Sequence, residues 1–148
     1  MSETSAMTAA VEKTLILAAS PERVWRALTD PAELARWFPD STDLEPRVGS
    51  TGTFDWEAHG KYAVRVERIE PPGLLVWTWA RDANVGLDEG PRTTIEWRLE
   101  PRPDGGTTLR LRESGFTDAK YRDGNDEGWD KELGELVDYL EAEVAGRD

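Results

Sequence analysis

Only one stretch of this chain has the pattern of a long amphipathic helix, and it comes last. Trp129, Leu133, Leu136, Val137, Leu140 and Val144 follow one another at helical spacings and draw a single apolar stripe. Asn125, Asp126 and Glu127 suit the start of that helix, and Gly146 suits its end. A helix is ~10–12 Å wide, whereas six or seven strands spaced ~4.8 Å apart make a much wider sheet. A sheet covered by one helix must therefore curl around it, and large side chains or a ligand must fill the space between.

The segments ahead of the helix supply that sheet. Val11, Lys13, Leu15 and Leu17 share one parity in VEKTLILA, the pattern of a first strand. Ser20-Pro21-Glu22 and Thr29-Asp30-Pro31 are two successive helix starts, each placing a capping side chain before a proline. They predict two short helices carrying Val24, Trp25 and Leu28, then Leu34, Trp37 and Phe38, with Pro39 as the stop. The runs TFDWE, KYAVRVERIE, LLVWTWA, TTIEWRLE and TTLRLRES follow, separated by turns rich in glycine and proline. Short turns make antiparallel hairpins. The order of strand, two helices, about six strands and a long helix predicts an α+β domain spanning residues 11–146. Residues 1–10 are small and polar and are expected to be disordered. Arg65, Glu67, Glu96, Arg98, Arg110 and Arg112 mark the solvent face of the sheet.

Seven tryptophans are spread over 148 residues. Tryptophan buries a large apolar area yet carries an N–H that needs a partner, so it suits the wall of a half-apolar pocket. Alternation places Phe54, Trp56, Tyr62, Val64, Trp77, Trp79, Trp97 and Leu111 on the inner face of the sheet. The short helices add Trp37 and Phe38, and the long helix adds Trp129, Leu133 and Leu136. Two arrangements satisfy this pattern: rings that fill a core, and rings that border a ligand cavity.

Composition narrows the partners. The net charge of -12 disfavours nucleic acid and anionic lipid. From Asp123 to Asp148, ten acids face only Lys131 and Arg147, so that segment carries -8. It reads as a solvated helix face or as a surface for a basic protein partner. There is no cysteine, hence no disulfide and no thiolate chemistry, which fits a cytoplasmic location. No secretory signal and no membrane span is expected. Neither a cofactor nor a metal site is expected, because no ordered set of ligands is visible.

The runs SPERVWRALTDPAELARWF, EPRVGSTGTFDW, VERIEPPGLLVWTW and GGTTLRLRESGF, then the Gly-Trp pair of the last segment, form an ordered series. From about Val11 to Val144 the chain resembles the homologues of the activator of heat-shock protein 90 ATPase. These lie in the START-like (SRPBCC) superfamily, with the birch-pollen allergen and polyketide cyclases. The resemblance implies a helix-grip fold, a curved seven-stranded antiparallel sheet wrapped on the C-terminal helix. It also implies an internal cavity, commonly for apolar small molecules.

Polar chemistry is sparse. His59, the single histidine, lies in a turn beside Gly60 and reads as solvated; no catalytic set assembles around it. Glu113 shares parity with Leu109 and Leu111 and should point inward, where a carboxylate is costly unless it is paired or protonated. It either escapes to water at Ser114-Gly115, or meets an arginine, or orients a ligand. The first functional reading is a binding protein for a small apolar or lipid-like molecule. The second is a chaperone-associated or stress-linked protein–protein module. The third is a cyclase- or hydrolase-like enzyme using the same cavity. Sheet edges also leave room for a homodimer.

Overall fold

Ser20 and Asp30 set the first two helices as their positions predict. The Ser20 hydroxyl accepts from the Arg23 amide at 3.2 Å and caps α1, Pro21–Thr29. The Asp30 carboxylate accepts from the Ala32 amide at 2.9 Å and caps α2, Pro31–Trp37. Each helix begins on a proline, whose missing N–H costs nothing there. The coordinates are a computed structural model describing residues 9–146, with side chains as far as residue 142. Residues 1–8 of the expected disordered start, and the Val144 side chain, lie outside the described residues. Ala9 and Ala10 are tied down, since their carbonyls accept from Arg122 at 3.1 Å each.

The strands are β1 (Val11–Leu17), β2 (Ser41–Thr42), β3 (Thr51–Trp56), β4 (Gly60–Glu70), β5 (Leu74–Ala80), β6 (Arg92–Pro101) and β7 (Thr107–Ser114). They form one antiparallel sheet in the order β1-β7-β6-β5-β4-β3-β2. The first strand thus pairs with the last, from Val11 opposite Glu113 to Leu17 opposite Thr107. The two-residue β2 was not foreseen; it is too short to show alternation, and it pairs Thr42 with Phe54. A register shift between Val66 and Arg68 bends β4. The sheet curves around the final helix, α3 (Ala119–Gly146).

That helix starts earlier than Asn125. Asp118 caps it by accepting from the amides of Lys120 at 2.8 Å and Tyr121 at 3.3 Å. Gly124 and Gly128 hid this first part, because glycine is a poor interior helix residue. Trp129, Leu133, Leu136 and Leu140 are buried against the sheet as the stripe predicts. Lys13 on β1 anchors the same helix through ion pairs with Asp126 and, at 2.9 Å, with Asp130.

The space under the helix is mostly filled by rings. Trp77 and Trp97 are 0% exposed. Phe38, held just past α2, lies 5.1 to 6.3 Å from the rings of Trp37, Phe54, Trp56, Trp77, Trp79 and Trp129. Ring pairs at such separations contribute about 0.5–1.5 kcal/mol each beyond burial. The opposite face carries ion pairs between residues two apart on one strand. Examples are Arg65 with Glu67 at 2.9 Å and Arg98 with Glu96 at 2.5 Å. Being solvated, such pairs contribute little to stability.

Candidate functional site

The ring cluster leaves one end of the sheet–helix space open. There a cavity of about 200 Å³ lies between the ends of β3 and β5, the start of β4 and the first half of α3. Its aromatic wall is Phe38, Trp56, Tyr62, Trp79, Tyr121 and Trp129. Asn125, Gly128 and Glu132 complete the helix side, and His59, Ala80 and Arg81 the loop side. Tyr121, Asn125, Gly128, Trp129 and Glu132 recur at three or four residues, so one helix face presents them all. Through His59, Tyr62, Asn125 and Glu132 the cavity continues into a wider, more polar basin of about 690 Å³, which Trp37, Asp40, Lys131 and Glu135 also border.

Glu113 lies buried behind two of these rings, at 0% exposure. Its carboxylate accepts the indole N–H of Trp129 at 2.8 Å and that of Trp79 at 3.1 Å. The Thr93 hydroxyl donates at 2.5 Å, and the Asn125 amide reaches both oxygens at 3.1 Å. Among the described residues no arginine satisfies it, and it does not escape to water, so neither of those two expectations for this residue holds. Four neutral donors from β5, β6 and α3 do the work instead. The inner register explains the convergence. Ile95 pairs with Glu113 and Trp79 pairs with Thr93, so these side chains share one face.

Glu132 sits half-buried at the mouth. Burial pushes its carboxyl up to about 7; Lys131 opposes that shift and the Glu135 charge adds to it. Burial likewise pushes the Tyr121 phenol up to about 12, against a hydrogen bond with Asn125 and with help from the Glu113 charge. Arg81 is held by Asp82, with two contacts of 3.1 Å, and its guanidinium lies 5.7 Å from the Tyr121 ring centre. Trp56 donates its N–H to the Phe38 carbonyl at 3.2 Å.

Of the residues the sequence pointed to, Phe38, Trp56, Tyr62, Trp79 and Trp129 border the inner cavity, and Trp37 borders only the outer basin. Phe54, Val64, Trp77, Trp97, Leu111, Leu133 and Leu136 are packed into the core away from it. Sequence reasoning missed Tyr121, Asn125, Gly128 and Glu132, and it gave His59 to solvent alone. His59 is exposed, but it stands on the cavity rim. A usable signal existed: the face of Trp129 continues toward the N-terminus as Asn125 and Tyr121, where a solid core would need aliphatic side chains. Among the described residues no cluster of three or more histidines and acids could hold a metal ion, and no helix is long and apolar enough to cross a membrane.

A family model described as activator of Hsp90 ATPase homolog 1-like protein matches residues 18–141. No curated protein matches the chain. Among solved structures, protein MLL2253 from Mesorhizobium loti is 28% identical, with 90% of this chain and 98% of that one covered and a TM-score of 0.80. DynU16, a protein of the dynemicin biosynthetic locus, is 25% identical with a TM-score of 0.78; the match covers 89% of this chain but 47% of DynU16. The Aha1 dimer from Colwellia psychrerythraea is 24% identical with a TM-score of 0.77, covering 90% of this chain and 96% of that one, and shares the fold.

Proposed function

We propose, for a chain that belongs to the family of activator of Hsp90 ATPase homolog 1-like proteins, a role as a binding protein for a compact, mostly apolar molecule. The observation that carries this reading is the aromatic cavity of about 200 Å³ at the open end of the ring cluster. Its size sets the guest. A dry cavity of ~150 Å³ admits benzene, and drug-sized ligands need ~300 Å³ or more. The guest is therefore a single ring or a short branched chain, with any longer tail lying in the outer basin. Burial drives the binding at about 25 cal/mol per Å² of apolar surface, while Asn125 and Glu132 supply polar contacts.

Three of the lining residues are tryptophans, so binding has an internal reporter. A panel of small aromatic and short-chain lipid-like molecules should quench or shift the emission and raise the melting temperature. A panel that does neither at millimolar concentration refutes the reading.

A protein–protein role is the second reading, and the exposed acids of α3 favour it. Glu127, Asp130, Glu135, Asp138 and Glu141 point to solvent. Capture of a basic partner on this surface would weaken steeply with salt. Pull-down of purified cytosolic chaperone at low and high ionic strength tests it.

A further inference from the structure

Resting on the reading of the cavity as a small-molecule site, we propose that its guest is positively charged: the chamber is an aromatic cage for a compact organic cation, with Glu132 as the counter-charge at its mouth. Three independent features of the site lead there.

The first is ring geometry. Phe38, Trp79 and Trp129 lie within 18° to 26° of parallel. Trp56 stands at 90° to Phe38, and Tyr62 at 80° to Trp56. Six aromatic side chains border the chamber, so a cation inside it lies within reach of several rings. Alkylated ammonium groups are held in this way, because their charge is attracted by the ring quadrupoles and their methyl groups by the apolar walls.

The second is the charge behind the wall. Trp79 and Trp129 both donate their indole N–H to Glu113. Among the described residues every hydrogen-bond partner of that carboxylate is neutral. Donation of an N–H to an anion also enriches the indole ring in electrons. The two rings are thereby biased toward a cation on their open side and gain nothing comparable from a neutral hydrocarbon.

The third is the mouth. No hydrogen bond or ion pair engages Glu132 among the described residues. Among the described residues Arg81 is the one guanidinium or ammonium group of the inner chamber, and it is paired with Asp82 at 3.1 Å. A trimethylammonium head group matches a chamber slightly larger than the ~150 Å³ that takes benzene, and a polar tail then projects past His59 into the basin.

The test pairs choline chloride with 3,3-dimethylbutan-1-ol, its uncharged carbon isostere, titrated into the full chain by calorimetry and tryptophan fluorescence at constant ionic strength. Choline should bind at least about tenfold more tightly than the alcohol. Glu132→Gln should cut that preference several-fold, and Tyr62→Leu should weaken choline more than the alcohol; circular dichroism confirms that both variants fold. Equal affinities, or tighter binding of the alcohol, overturn the cation cage and leave a neutral small-molecule site standing. Binding of neither compound at millimolar concentration overturns both. A preference that survives Glu132→Gln unchanged overturns the part given to Glu132.

Discussion

The Glu113 carboxylate and the Trp129 indole, sixteen residues apart in the chain, are joined by a 2.8 Å hydrogen bond that fastens the last strand to the final helix. The same carboxylate holds Trp79 at 3.1 Å. Two walls of the cavity are therefore hung from one buried side chain.

Glu113→Leu should destabilise the protein by at least about 3 kcal/mol. It takes the acceptor from the Trp129 indole N–H, the Thr93 hydroxyl and the Asn125 amide, at about 1–3 kcal/mol for each group left unsatisfied, while the Trp79 N–H keeps the Thr93 hydroxyl at 2.9 Å. Glu113→Gln keeps the shape but points an NH2 at donors, and should fall between the two. Urea unfolding gives the values; a loss below about 1 kcal/mol for the leucine variant would contradict the role assigned to this residue.

Gly128→Leu should close the cavity without harming the fold. A Cβ built at Gly128 meets nothing within 4 Å, and the residue borders both chamber and basin. Leucine also favours the helix by up to about 1 kcal/mol over glycine. Ligand-induced quenching should vanish while the melting temperature holds or rises. Retained binding would place the guest elsewhere.

Glu132 should make stability depend on pH. Its folded carboxyl sits at about 7, against ~4.3 in an unfolded chain. Below pH 4 both states are protonated and nothing is lost. As pH rises from about 4 to 7 the unfolded state gives up its proton first, so the folded state loses stability; above about 7 the loss is complete. The residue is only half-buried, so solvent reduces the effect to about 1–2 kcal/mol. Glu132→Gln should therefore equal the natural protein at pH 4 and exceed it by that amount at pH 8. His59, Lys131, Glu135 and Arg81 border the same space; Lys131 and Glu135 act on the Glu132 charge, so their influence is part of the difference measured. Parallel denaturation curves across this range decide it.

Asp118→Ala should cost about 1 kcal/mol, because it removes the acceptor for the amides of Lys120 and Tyr121. Asp118→Asn should restore most of it. No loss on alanine substitution would mean that the helix is not capped at this residue.

The fold was readable because its signals are local. A run dense in branched and aromatic residues gave β5 its observed limits, alternation gave β7 its own, and Ser20-Pro21 and Asp30-Pro31 located the short helices. Parity also turned Glu113 inward. Its partners were hidden, since Trp79, Thr93 and Asn125 meet it only through strand register and helix docking. The division of the rings was equally hidden. Trp77 and Trp97 alternate just as Trp79 and Trp56 do, yet the former pair is sealed in the core and the latter lines a cavity. Glu132 escaped notice because an acid among ten acids carries no mark of its own.

The final helix divides its labour along its length. From Leu133 to Leu140 it is bolted to the sheet by aliphatic side chains, while from Tyr121 to Glu132 it offers polar, aromatic and glycine positions to the open chamber. Substitutions at the chamber-facing positions of the first half leave the bolts untouched. Descendants of such a chain are free to reshape the chamber lining without first surviving an unstable intermediate, a route to diversification written into the layout of a single rod.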